Sequence, residues 1–172
     1  MEQEVVGIAE WRVSADPSAR LVTYSLGSCI GLAIHDPIAK VGGLLHFMLP
    51  DSTIDREKAQ RHPGMFADTG VPLLFRSAYS LGLDKRRVRV VVAGGSQILD
   101  DSGRFNIGKR NYAALRSLLW KNNVLITAQD VGGCQSRTLY LEVGTGKVWI
   151  SEANRETKVL LNGETLEAKR SP

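Results

Sequence analysis

Apolar and polar positions along this 172-residue chain follow two rhythms. Short apolar runs bounded by Gly, Pro, Asp or Ser recur at Val5–Val13, Leu21–Ser25, 30–36 (IGLAIHD), 40–47 (KVGGLLHF), Val88–Ala93, Val124–Gln129, Arg137–Val143 and Lys147–Ser151. Each reads as a strand. Two other stretches carry apolar residues at helical spacing. Ala67–Leu83 predicts one helix, with Asp68 as a cap or first-turn acid and Pro72 tolerable only early. Ile107–Lys121 predicts the second, with Tyr112, Leu115, Leu118 and Leu119 on its inner face. Asn162-Gly163 signals a further hairpin near the end, the last residues Lys169–Pro172 read as frayed, and the polar stretch from Leu49 to about Pro63 reads as a long loop. Two main helices are too few for a doubly wound parallel sheet. The pattern predicts an α+β fold, a layered sandwich with a mixed, largely antiparallel sheet.

The run from Leu21 to Ser52 carries the chemistry. Asp36-Pro37-Ile38-Ala39 separates its two apolar strands and suits a type I turn, because proline presets φ at the second position. If Pro37 and Ile38 form the loop, Asp36 faces Ala39, Ile34 faces Val41 and Cys29 faces His46. Directly opposed residues place their Cβ atoms about 5 Å apart, close enough for a thiol–imidazole pair. Ile30, Leu32, Ile34, Val41 and Leu45 then share a core face. Cys29, Gly31, Ala33, Gly42 and His46 share the other, a shallow floor of small side chains that Leu44 interrupts. Gly42-Gly43 is a site for a bulge, and a one-residue slip would turn His46 away.

Composition narrows the setting. The length suits one domain, residues 1–172, and no apolar run is long enough to span a membrane. MEQEVVGIAEW lacks a signal-peptide core, so a cytoplasmic location is expected. The net charge of +4 is dispersed, which argues against nucleic-acid binding. Cys29 and Cys134 are expected as free thiols, and the two cysteines and three histidines lack zinc-site spacing. Gly103 to Lys109 imitates part of a phosphate-binding loop, but Arg110 stands where Ser or Thr would hold magnesium. It reads instead as a loop capping the next helix. Lys85, Arg86 and Arg87 read as a solvated strand entrance.

A cysteine on an apolar strand is by default packing. Here the opposed His46 supplies a base, Thr23 on an adjacent strand is a candidate to orient the imidazole, and the N–H groups around Gly27-Ser28-Cys29 are candidates for an oxyanion hole. His35, paired with Lys40 at the turn, is expected to be exposed. His62 and Cys134 have no evident partner.

LGSC followed by a strand and then VGGLLHFMLPDS resembles the signature of the CheD family, the chemoreceptor glutamine deamidases. The resemblance continues through Pro63–Asp68, Ala93-Gly-Gly-Ser96, Asn106–Asn111, and Asp130-Val-Gly-Gly133 with Arg137, from roughly Val6 to Ile150. It implies hydrolytic deamidation of receptor glutamine side chains through a cysteine thioester. Cys29 would be the nucleophile, His46 the base and Thr23 its orienting group, with no metal or organic cofactor. It also implies a sandwich similar to the catalytic domain of cytotoxic necrotizing factor. The implied partners are the helical cytoplasmic domain of a chemoreceptor as substrate and a CheC-type response-regulator phosphatase, which members of the family can stimulate. The alternative reading is a regulatory binding protein that mainly engages such a phosphatase, with deamidation secondary.

Overall fold

The computed structural model of the chain describes residues 1–97, 106–153 and 157–163. They form three layers: an outer sheet, a central sheet and a layer of helices. The outer sheet runs β1 (Glu2–Val5), β3 (Ala19–Leu26), β8 (Arg137–Glu142), β9 (Val148–Glu152), β10 (Lys158–Leu161). The central sheet runs β2 (Trp11–Ser14), β5 (Val41–Phe47), β4 (Ile30–Asp36), β6 (Arg89–Gly94), β7 (Ala128–Val131). One pairing in each is parallel, β1 with β3 and β6 with β7, and the rest are antiparallel. The mixed, largely antiparallel expectation therefore holds, but for two sheets instead of one.

Both faces of β4 and β5 are buried, which is why their sequences read as nearly unbroken apolar runs. Ile30, Leu32, Ile34, Val41, Leu45 and Phe47 meet α2 (Ala67–Ser80) and α3 (Ile107–Lys121) through Leu74, Phe75, Leu115 and Leu119. On the opposite face Ala33, Leu44, Val91 and Ala93 meet Leu21, Leu26, Leu139 and Leu141 of the outer sheet. The floor of small residues is thus covered, not open. A Cβ on Gly31 would lie 2.8 Å from Leu26 Cδ1 and 2.9 Å from Leu139 Cδ2, so the absence of a side chain lets the second sheet pack down.

Three expected boundaries change. Val5–Val13 is two strands in different sheets: Val6 still hydrogen-bonds to Val22, and then a turn over Gly7–Glu10 carries the chain across. The Leu49–Pro63 stretch is folded, because two aspartates start helical turns. Asp51 accepts from the Thr53 N–H at a 3-10 turn, Ser52–Ile54, and Asp55 accepts from the Lys58 N–H at α1 (Arg56–Arg61). A second 3-10 turn, Pro63–Met65, leads into α2. Val124 folds back onto Leu119, so β7 begins only at Ala128. The second strand of the hairpin expected at Asn162-Gly163, and the end at Lys169–Pro172, lie outside the described residues. Among the described residues no helix is long and apolar enough to cross a membrane.

The β4–β5 connection is longer than expected. Asp36 faces Val41, leaving Pro37–Lys40 as the loop. Asp36 Oδ1 accepts from the N–H groups of Ile38 and Ala39, its carbonyl accepts from Lys40, and Lys40 takes φ 55°. No bulge forms at Gly42-Gly43. Asp36 is fully buried. Burial raises its pKa, but the Arg87 guanidinium and the Asp84, Ala39 and Ile38 N–H groups outweigh this and hold the carboxyl well below the usual carboxylate range. Arg87 also reaches Asp84, so the basic cluster serves an ion-pair network at the strand entrance. Asp36→Ala is expected to lower stability by about 2 kcal/mol in urea denaturation at pH 7, because it leaves the N–H groups of Ile38, Ala39 and Asp84 without their acceptor. A carboxyl with a depressed pKa stabilises above its unfolded pKa and loses that contribution as pH falls. The gap between wild type and variant should therefore narrow in acid.

Candidate active site

β3 belongs to the outer sheet and β4 to the central one, so Gly27-Ser28-Cys29 is the point where the chain changes sheets. The turn is held by its carbonyls. Gly27 C=O accepts from Ser96 N–H at 2.9 Å, Cys29 C=O from Gly95 N–H at 2.9 Å, and Ser28 C=O from Asn111 Nδ2 at 3.0 Å. Gly94 makes the approach possible: it has φ 112°, and a Cβ there would collide with the Cys29 carbonyl oxygen. Among the described residues the N–H groups of Ser28 and Cys29 donate to no backbone carbonyl, and that of Cys29 lies against its own sulfur. They are the donors left over at this turn, next to the thiol.

His46 faces Gly31 across the β4–β5 ladder, two residues from the expected opposition to Cys29. A shift of two preserves the face, so Cys29 and His46 remain on the same side as diagonal neighbours. Cys29 is half-buried, packed against the apolar cluster between the sheets. Burial pushes its thiol pKa up, opposed in part by its own backbone N–H.

Hydrogen bonds fix the tautomer of His46. Thr23 Oγ1 donates to the Val6 carbonyl at 2.7 Å, since a carbonyl can only accept. Its remaining contact, with His46 Nδ1 at 2.7 Å, must therefore be one in which the hydroxyl accepts and Nδ1–H donates. Nε2 is then the bare, basic nitrogen, and it is buried without a hydrogen-bond partner among the described residues. Burial lowers the His46 pKa to about 4. The same crossing segment holds the histidine backbone: His46 N–H donates to the Glu10 carbonyl and Ala9 N–H to the His46 carbonyl. At rest the pair is a neutral thiol and a neutral imidazole.

Behind the turn lies a polar hub that sequence reasoning left without a role. Buried Arg137 donates to Asp130 Oδ1 at 2.7 Å, Ser96 Oγ at 2.7 Å and the Gly132 carbonyl at 2.8 Å. Ser96 Oγ donates in turn to the Gln135 carbonyl, and this places the loop that grips Gly27 and Cys29. Asn111 was likewise unassigned. A signal existed: it stands four residues before Leu115 on the inner face of α3, where a polar side chain requires partners.

The other expected residues lie elsewhere. His35 is buried, contrary to expectation, because the outer sheet covers it and its Nε2 contacts the Val143 carbonyl at 2.7 Å. His62 ends α1, and Cys134 is an exposed thiol after β7. Residues 103–105 of the phosphate-loop imitation lie outside the described residues. Asn106 begins α3 in a left-handed conformation without a side-chain cap. Among the described residues no three His, Cys, Asp or Glu side chains are grouped to hold a metal ion.

A family model described as CheD chemotactic sensory transduction matches residues 48–152. Relatives similar over nearly their whole length share the name probable chemoreceptor glutamine deamidase CheD. The protein of that name numbered 1 in Syntrophus aciditrophicus is 54% identical over 153 residues, 89% of this chain and 96% of the relative. That of Solibacter usitatus is 48% identical over 160 residues, covering 93% and 95%. The second such protein of Anaeromyxobacter dehalogenans is 44% identical over 155 residues, covering 90% and 98%.

Proposed function

The chain belongs to the CheD family, and on that premise we propose that it converts selected chemoreceptor glutamines to glutamate, with Cys29 as nucleophile and His46 as base. The observation that carries the reading is the imidazole whose Nδ1–H is committed to Thr23, leaving a bare, buried Nε2 on the face that carries the thiol.

The chemistry follows from the two protonation states. Cys29 Sγ attacks the carboxamide carbon of the substrate while its proton passes to His46 Nε2. The carbonyl oxygen becomes an oxyanion beside the N–H groups of Ser28 and Cys29. As the intermediate collapses, the C–N bond breaks and Nε2–H protonates the leaving nitrogen, which departs as ammonia. Water then attacks the thioester carbon, giving its proton to Nε2. The C–S bond breaks, the thiol recovers that proton, and a carboxylic acid leaves and ionises. One water is consumed and one ammonia released, with no redox step.

The test is mass spectrometry of a chemoreceptor cytoplasmic fragment after incubation with the protein. Thiol-dependent deamidation adds about one mass unit per site, and the gain should vanish when Cys29 is alkylated beforehand. No gain across several receptors would overturn the assignment.

Thr23→Val keeps the side-chain shape but removes the acceptor for Nδ1–H. Turnover is expected to fall about 10²-fold, because the imidazole loses the contact that fixes its tautomer. Thr23→Ser restores the hydroxyl and should stay within a few-fold of wild type. Equal turnover in wild type and the valine variant would remove Thr23 from the relay.

A further inference from the structure

Asn111 is fully buried in α3, and both hydrogens of its carboxamide are engaged. Nδ2 donates to the Ser28 carbonyl at 3.0 Å and to the Met48 carbonyl at 2.8 Å. Both partners are acceptors only, so the amide stands one way round. These two carbonyls bracket the proposed pair. Ser28 immediately precedes Cys29, and Met48 lies two residues after His46.

A trans peptide holds its C=O and N–H in one plane, pointing in opposite directions. Fixing the Ser28 carbonyl therefore fixes the direction of the Cys29 N–H, away from Asn111. Ser96 N–H does the same for the preceding peptide: by holding the Gly27 carbonyl it directs the Ser28 N–H. Both N–H groups that have no backbone acceptor at the turn, among the described residues, are thus aimed from behind by residues far away in sequence.

We propose that Asn111 is a positioning residue for the oxyanion hole. It aims the Cys29 N–H at the oxygen that becomes negative, and through Met48 it ties that donor to the strand bearing His46. The inference rests on Cys29 being the nucleophile, and it deepens that reading by separating two properties of the turn. The reactivity of the sulfur depends on His46. Stabilisation of the oxyanion depends on Asn111.

Two reagents that attack the same sulfur, in protein carrying Cys134→Ser so that the exposed thiol does not compete, distinguish these properties without any receptor. Iodoacetamide alkylates Cys29 by displacing iodide at a tetrahedral carbon, so no oxyanion forms. A p-nitrophenyl ester acylates Cys29 through a tetrahedral oxyanion, releasing p-nitrophenolate. In Asn111→Ala the acylation burst is expected to slow about 10- to 100-fold, with alkylation unchanged within about two-fold. Asn111→Ser retains one donor and should lie between them, and it serves where the alanine variant does not fold. Parallel loss of acylation and alkylation would show that Asn111 only maintains the fold, and equal acylation in wild type and variant would show no role. Either result overturns the proposal. A wild type that acylates normally yet leaves receptor glutamines unchanged would count against the deamidase reading alone.

Discussion

Cys29→Ala is expected to lower ammonia release from receptor glutamines by at least about 10⁴-fold, since the covalent route is lost entirely. The only other thiol, Cys134, is exposed beyond β7, and the hydrogen bonds of His35 and His46 among the described residues go elsewhere. Serine at position 29 should rescue little, because burial that already raises a thiol pKa disfavours an alkoxide far more. The fold should be nearly unaffected. The turn is held by carbonyl hydrogen bonds and not by sulfur, so the midpoint of thermal unfolding is expected to shift by no more than about 2 °C. Turnover of the alanine variant near the wild-type rate, read as mass gain on the receptor fragment, would exclude Cys29 as nucleophile.

His46→Ala is expected to cost about 10²- to 10⁴-fold, the usual contribution of a positioned general base. The pH dependence carries more information. With His46 lowered to about 4 by burial and Cys29 raised by burial, kcat/KM should stay level from near pH 5 to above the ordinary thiol range. An acid limb near 6.5 would contradict the buried, neutral imidazole. Stability should follow the same group. Unfolded histidine titrates near 6.5 and folded His46 near 4, so between these values the unfolded state holds more protons. The contribution is complete above about pH 6.5 and is lost as pH falls to about 4, amounting to about 3 kcal/mol. His46→Gln should flatten this portion of the urea-denaturation profile, and an unchanged slope would assign the acid sensitivity to another group.

The hairpin shows how sequence reasoning can misplace a register and still find a site. Loop length was misread because the Asp36 side chain organises four residues with Lys40 at positive φ, where Asp-Pro alone suggested two. The resulting error was even, so every side chain kept its face and Cys29 stayed on the side of His46. α3 was legible to the residue because its apolar spacing is local. The second sheet was not. The pairing of β3 with β8 joins segments more than a hundred residues apart, and nothing local marks His35 as lying beneath it. Sequence separation also hid the roles of Asn111, Ser96 and Arg137. Their place in the family resemblance was visible, but Asn111 and Ser96 hold backbone carbonyls, and Arg137 holds Ser96 Oγ, that only tertiary structure brings near.

The bond between Thr23 and His46 joins a strand of one sheet to a strand of the other. Its length is therefore governed by how deeply the sheets settle together, which Leu26, Leu44 and Leu139 determine around Gly31. These leucines set a spacing as well as burying apolar surface. A lineage could exchange one branched chain for another of equal bulk, keep its heat resistance, and still drift in catalytic speed. Directed-evolution campaigns that randomise only the mouth of the site would never sample that source of variation.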